Sequence, residues 1–367
     1  MKRARLDPDR IALMIPTLVG GGAERSFLNL AEGFHQAGYA VDLILKQATG
    51  EYLMQVPKGI HLVDLHASRM ARTLPGLIRY LRARRPRVLI AGLELTHIIA
   101  LIAQAVSGVP TKVIVTINSV ISQERRFYLP NRSLEKGLMK LLYPRAGEIV
   151  GVSKGVARDF SNFLGIPLEK IRVIYNPVIT PTLLERAGQI IQHPWFVDGQ
   201  PPVVLGVGRL EPVKDFSTLI KACALARQHV PLRLLILGEG AQRKELENLA
   251  LQLGLQEDAC FPGFQQNPFA YMRGAALLAL SSLHEASPNV IIQAMACNCP
   301  VIATNCPGGT AELVGDGAFG HLVPVGDSRA MAQTIQAALV GDVRHPPAEW
   351  LQKFEQDYAI QRYLELI

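Results

Sequence analysis

At 367 residues the chain is more than twice the ~150 residues of a typical domain, and 49% hydrophobic against 19% charged residues excludes a disordered polypeptide. The net charge of +7 is unevenly held: residues 1–180 carry 25 Lys and Arg against 13 Asp and Glu, net +12, whereas residues 181–367 carry 13 against 18, net −5. The basic half is therefore expected to face something anionic. Its patches lack an RNA-motif aromatic pattern and a helix-turn-helix, which sets a nucleic-acid binder aside.

In chain order, the basic opening "MKRARLDPDRIALMI" has too short an apolar segment before a Gly-rich turn to read as an export signal. Apolar runs that read as buried strands then alternate with helical stretches. They are "RIALMI", a helix over 23–37, "YAVDLIL", "RVLIAG", a helix over 96–107, "KVIVTI", "GEIVGVS", a helix over 154–164, and "IRVIYN". The most apolar stretch, "VLIAGLELTHIIALIAQAV", is interrupted by Glu94 and His97, which argues against a membrane span. The rhythm breaks over 178–200, where "HPWFVDGQPP" reads as a linker. A second alternation follows: "PVVLGVG", helix 214–228, "LRLLILG", helix 241–253, "ACFPG", "ALLALSS", helix 288–297 and "PVIAT". Such alternation implies parallel sheets covered by helices. The expected architecture is α/β, two doubly wound domains facing a central cleft, with ligands at the carboxyl ends of the strands.

Two segments concentrate the positive charge. "RYLRARRPR" at 79–87 ends an apolar helical run. "QERRFYLPNRSLEKGLMKLLYPR" at 123–145 interleaves basic residues with Phe127, Tyr128, Leu129, Leu134, Leu138, Leu141 and Leu142. That pattern suits an anionic membrane surface, and equally a solvated helix face packed on its own sheet. Cys223, Cys260, Cys297, Cys299 and Cys306 form no even disulfide set, and one residue between Cys297 and Cys299 is too few for a zinc knuckle. Buried thiols in a reducing cytoplasm are expected.

The motifs fall at strand ends. Gly20, Gly21 and Gly22 form a tight loop opening a helix, where backbone can approach a ligand and free N–H groups meet an anion. The loop lacks the GxGxxG fingerprint, which disfavours a nicotinamide cofactor. In "GVGRLEPVKDF", Arg209 and Lys214 follow a strand ending at Gly208, as a phosphate clamp or as a surface salt-bridge pair. "LGEGAQRKELENLALQLGL" repeats strand, Gly turn and helix, and reads as a plain turn or a ligand contact. In "HEASPNVIIQAMA", Glu285 leads into a helix with Pro288 in its first turn, where the N–H groups of Asn289 and Val290 suit a diphosphate. The alternative is an acid or hydroxyl, Glu285 or Ser287, capping its own helix.

The ordered series of Gly loop, "VSKGVARDF", "VIYNPV", "GRLEPVKDF", "LGEG", "FPGF", "HEASPNVIIQAMA" and "PGGTAELVGDGAFGHLVPVGD" resembles family 4 of the glycosyltransferases, retaining nucleotide-sugar-dependent enzymes of the GT-B fold, from about residue 10 to 340. The resemblance implies an N-terminal Rossmann-like acceptor-binding domain over 1–180 and a C-terminal nucleotide-sugar-binding domain over 181–345. It also implies a C-terminal helix within 346–367 crossing back to the first domain. It assigns Glu285 to the donor sugar hydroxyls and the position of Gln293 to the nucleotide ribose, where the family carries a second Glu. A neutral amide there still bonds the ribose, with a loss on the order of 1 kcal/mol. Ala286 stands where Gly is usual, and Asn118, or Ser119 if the loop is shifted by one, where many members have a His that can titrate.

By the same resemblance, Arg209 and Lys214 hold the leaving diphosphate, assisted by the backbones of Gly21, Gly22, Asn289 and Val290. Gly208, Ala286, Ser287 and Pro288 complete the donor site, and the turn at Phe264 lies by the base. No cofactor and no metal are expected. The resemblance implies retention through attack by the acceptor on the same face, its hydroxyl deprotonated by the departing phosphate itself. A UDP-sugar is expected as donor, N-acetylhexosamines foremost, over GDP-mannose. The acceptor is expected to be a polyisoprenyl-linked glycan in cell-surface polysaccharide assembly, and the location cytoplasmic with peripheral contact at the inner membrane face. Two rival readings remain: an epimerase acting on the UDP-sugar alone, and a nucleotide-sugar-binding scaffold impaired by Gln293 and Asn118.

Overall fold

The computed structural model describes residues 6–123 and 132–367, apart from the side chains of residues 94 and 132–134. The chain divides into two compact units, Met1–Pro177 with Glu355–Ile367, and Val178–Phe354. The return to the first unit therefore begins at Glu355, later than the expected 346, and residues 346–354 stay with the second.

Among its described residues the first unit contains seven strands: β1 (Asp7–Ile15), β2 (Ala40–Leu45), β3 (His61–Asp64), β4 (Pro86–Gly92), β5 (Lys112–Ile117), β6 (Glu148–Gly151) and β7 (Ile171–Val173). They form one sheet in the order β3-β2-β1-β4-β5-β6-β7, every pairing parallel. Helices Gly22–Gln36, Leu74–Arg84, Glu94–Ser107 and Lys154–Leu164 supply the crossovers. The inner strands are largely apolar because both faces are covered, as parallel sheets require, with Asp42 in β2 a buried charged exception. β3 is missing from the sequence reading: it is a four-residue edge strand, "HLVD", with exposed and half-buried positions and no apolar run.

The C-terminal helix Gln356–Leu364 packs on Gly22–Gln36 inside this unit. A side chain at Gly33 would collide with Ile360, so the glycine is what lets the two helices approach. Phe34 and Tyr363 meet edge to face with ring centroids 6.2 Å apart. Gln356 Nε2 donates to the Asn29 carbonyl at 2.6 Å, and Asn29 Nδ2 donates to the Pro177 carbonyl at 2.6 Å.

His97 is wholly buried, its Nδ1 2.7 Å from the Tyr143 hydroxyl. Desolvation pushes the imidazole down to about 3, with the Thr116 and Ala91 carbonyls opposing the shift. The unfolded chain therefore binds a proton that the fold refuses. The stability this gives is complete above about 6.5 and is lost as pH falls toward about 3, by at most about 1.4 kcal/mol per pH unit. Denaturant midpoints measured from pH 7 to 4 should fall more steeply for the native chain than for His97→Gln.

The second unit contains β8 (Val203–Val207), β9 (Arg233–Leu237), β10 (Ala259–Gly263), β11 (Leu277–Leu280), β12 (Val301–Thr304) and β13 (His321–Val323), all parallel in the order β10-β9-β8-β11-β12-β13. Each sheet reverses its strand order once, between β1 and β4 and between β8 and β11. In doubly wound sheets the crevice outside the carboxyl ends at that reversal is where ligands bind. The stretch read as a linker is a packed strap: it holds helix Pro181–Ala187, and His193, Trp195, Phe196 and Tyr271 form an aromatic cluster with His193 to Trp195 at 5.2 Å and Phe196 to Tyr271 at 5.6 Å.

All five cysteines are free thiols. Burial pushes Cys297 up to about 11 and Cys299 up to about 12, so both stay protonated. Among the described residues no helix is long and apolar enough to cross a membrane.

Candidate functional site

In the second unit the loops after β8 and β11, the two strands flanking the order reversal, bring the sequence-predicted residues together. The loop after β8 carries Gly208, Arg209 and Lys214, and the loop after β11 carries Ser281 through Glu285. Lys214 Nζ donates to Glu285 Oε1 at 2.5 Å, with the two side chains only 19% and 13% exposed. The loops are also joined through backbone: Leu283 N donates to the Val213 carbonyl at 2.8 Å, and Ser281 Oγ to the Lys214 carbonyl at 2.8 Å. From the other side, Glu285 N donates to the Pro307 carbonyl at 3.0 Å, and Gly309 N to the Glu285 carbonyl at 2.9 Å. Lys214 thus holds the carboxylate, while the 307–309 turn holds the backbone that carries it.

Lys214, expected as a phosphate clamp, is engaged by Glu285. Arg209 is not engaged: its side chain is exposed and makes no hydrogen bond or ion pair among the described residues. Asp215 positions this turn from the left-handed region (φ +44°), where its carboxylate caps helix Phe216–Ala226 by accepting from Thr218 N at 3.4 Å and is itself held by Thr218 Oγ1 at 2.6 Å and Ser217 Oγ at 2.7 Å.

The "LGEG" turn after β9 has a structural reason of its own. A side chain at Gly238 would strike the Gly208 carbonyl, and one at Gly240 the Leu210 carbonyl, so both glycines admit the backbone that carries Arg209. Leu210 N donates to the Glu239 carbonyl at 2.8 Å and holds the two turns together. Arg243, not singled out in the sequence, bonds Glu239 and Glu247 and donates to the Phe261 carbonyl at 2.5 Å. It thus ties the "FPGF" turn to helix Arg243–Gln252, which follows the "LGEG" turn. Phe264 stands beyond it, 41% exposed.

Helix Asn289–Ala296 starts one residue later than expected, with buried Pro288 as its N-cap residue and no side-chain cap. Neither Glu285 nor Ser287 caps it. Ala286, Ser287, Asn289 and Val290 are half-buried. Gln293 is also half-buried, and its amide has no hydrogen-bond partner among the described residues.

In the first unit, Gly21 is the N-cap residue of Gly22–Gln36 without a side-chain cap, and Gly20 has φ +94°. A side chain at Gly21 would meet the Glu24 carboxylate, so an acid already lies over this helix end. Asn118 follows β5 and is half-buried; its Nδ2 donates back to the Thr116 carbonyl at 2.7 Å. What it retains for a ligand is chiefly its carbonyl oxygen.

Much of the 79–87 basic cluster is spent inside the fold. Asp42, wholly buried, accepts from Tyr80 at 2.6 Å, Arg10 at 2.9 Å and Arg84 at 3.3 Å. Arg82 donates to the Val106 and Ser107 carbonyls, whereas Arg79 is exposed and has no partner among the described residues. Of the second cluster, Phe127, Tyr128 and Leu129 lie outside the described residues. Helix Arg132–Leu142 buries Met139 and leaves Leu141 58% exposed.

Two family models cover most of the chain: Glycosyltransferase Family 4 over residues 20–180 and Glycosyl transferases group 1 over residues 189–350. The chain is 34% identical over 227 residues to the N-acetylgalactosamine-N,N'-diacetylbacillosaminyl-diphospho-undecaprenol 4-alpha-N-acetylgalactosaminyltransferase of Campylobacter jejuni, covering 62% of this chain and 59% of that one. To the lipopolysaccharide core biosynthesis glycosyltransferase LpsE of Rhizobium meliloti it is 34% identical over 136 residues, 37% of this chain and 38% of that one. The chain thus spans less than two thirds of these relatives' length. Among solved structures, HepE of Anabaena in complex with UDP and glucose matches with a TM-score of 0.78 at 20% identity, covering 97% of this chain and 98% of that one. That likeness establishes the GT-B fold.

Proposed function

Because the chain belongs to the family 4 glycosyltransferases, we propose that it transfers a sugar from a UDP-sugar, an N-acetylhexosamine foremost, to a polyisoprenyl-diphosphate-linked glycan, with retention. The observation that carries this reading is that the two loops at the order reversal of the second sheet carry an oriented carboxylate, Glu285, held by Lys214, and a guanidinium, Arg209, with no partner among the described residues. The carboxylate accepts from donor sugar hydroxyls. The guanidinium meets the charge that grows on the leaving diphosphate, which is where stabilisation lowers the barrier. Lys214 holds the Glu285 carboxylate in place through its ion pair. The acceptor is deprotonated by the departing phosphate, and the reaction needs no metal, so turnover persists in excess EDTA.

The acceptor class is supported by the Campylobacter jejuni relative, whose name specifies a diphospho-undecaprenol substrate and N-acetylgalactosaminyl transfer. The net charge of +12 over residues 1–180 and the uncommitted Arg79 favour an anionic lipid surface as the place of reaction. Thermal unfolding with UDP, GDP and their sugars tests the donor. A ligand at a hundred times its Kd adds about 2.7 kcal/mol. UDP and one UDP-sugar should raise Tm by several degrees and GDP should not. No shift with any of them overturns the proposal in favour of a scaffold.

A further inference from the structure

We infer that Ser282 is a positioning residue that decides which oxygen of Glu285 faces the donor sugar; this rests on the donor-contact role proposed above for Glu285. Two donors converge on one carboxylate oxygen: Lys214 Nζ at 2.5 Å and Ser282 Oγ at 2.7 Å both reach Oε1. Oε2 accepts no hydrogen bond from the described residues and keeps access to solvent. A carboxylate held by an ammonium alone pivots about its broad terminal torsion and exchanges its oxygens. A second donor of fixed direction removes that freedom.

Ser282 has such a direction. It is wholly buried just beyond β11, and its carbonyl accepts from Thr304 Oγ1, also wholly buried at the end of β12, at 2.6 Å. The chain Thr304, Ser282, Glu285 thus references the carboxylate to the neighbouring strand. The preceding residue does the same for the cation, since Ser281 Oγ holds the Lys214 carbonyl. Two adjacent serines therefore fix both halves of the ion pair. Apolar burial does not account for them, because a buried hydroxyl is costly unless it is hydrogen-bonded. With Oε1 occupied, Oε2 is the oxygen presented to a ligand hydroxyl. The contact concerns the sugar and not the nucleotide.

The test compares the full chain with Ser282→Ala, Glu285→Gln and the double variant. It reads the Kd of UDP, which lacks the sugar, and kcat/KM for the accepted UDP-sugar. Ser282→Ala is expected to lower kcat/KM about tenfold, to leave the UDP Kd within about twofold, and to add almost nothing in the Glu285→Gln background. Thr304→Val should show the same pattern at smaller size, and reads the proposal independently if Ser282→Ala folds poorly. An equal loss in both backgrounds, a parallel loss of UDP affinity, or no loss in Ser282→Ala while Glu285→Gln is impaired overturns the inference alone. No loss in Glu285→Gln itself overturns the donor-contact reading and this inference with it.

Discussion

Arg209→Ala should lower kcat/KM by about 10²–10³-fold, the size of effect seen when one preorganised donor to a developing anion is removed. The same change should leave the fold almost untouched. The Arg209 side chain is exposed and makes no hydrogen bond or ion pair among the described residues, so its loss falls in the class of surface substitutions worth within about 0.5 kcal/mol. A steady-state assay paired with a thermal melt separates these two effects. Loss of turnover with Tm unchanged to about 2 °C is expected. Unchanged turnover would favour a protein that binds nucleotide-sugar without using it.

Glu285→Ala is expected to fail on both counts. The exposed limit for an ion pair is about 0–1 kcal/mol, and the fully buried limit for removing one partner is about 3–5 kcal/mol. With side chains 19% and 13% exposed, the Lys214–Glu285 pair lies between, and a loss of about 2 kcal/mol is expected from urea unfolding. Cys306 is buried in the same corner, and its thiol is pushed up first by desolvation and also by the charge of Glu285. Transfer should drop at least about a hundredfold, because the acceptor of the sugar hydroxyl and the partner of Lys214 disappear together. Glu285→Gln keeps two hydrogen-bonding atoms and should retain more stability than Glu285→Ala while still losing turnover.

The strands that carry these residues were legible because buried parallel strands are uninterrupted apolar runs. "VVLGV" and "LLAL" announce themselves, and the residues just beyond them are the site. β3 and β13 were not legible: "HLVD" and "HLV" are edge strands of four and three residues, too short for a periodic signal. The strap over 178–200 read as a linker because its proline and polar residues hide an aromatic cluster that exists only once His193, Trp195 and Tyr271 are brought together. The identities of Glu285, Lys214 and Arg209 came from motif order. Their division of labour did not, since a sequence cannot tell that one cation is paired and the other is not. Ser282 and Arg243 carried no signal at all, because a serine before an acid and an arginine on a helix are ordinary until their distances are known. Gln293 stands apart from the family's pattern in sequence, and an amide with no partner among the described residues gives that difference a physical form without explaining it.

Glycosyl transfer is read from product formation. The purified chain is incubated with labelled UDP-N-acetylhexosamines and a polyisoprenyl-diphosphate-linked glycan in vesicles containing anionic lipid, and the lipid fraction is analysed by mass spectrometry. One added sugar on the acceptor, α-linked when the donor is α-linked and absent with Arg209→Ala, is the predicted result. UDP-sugar bound or epimerised with no sugar ever reaching an acceptor would contradict it.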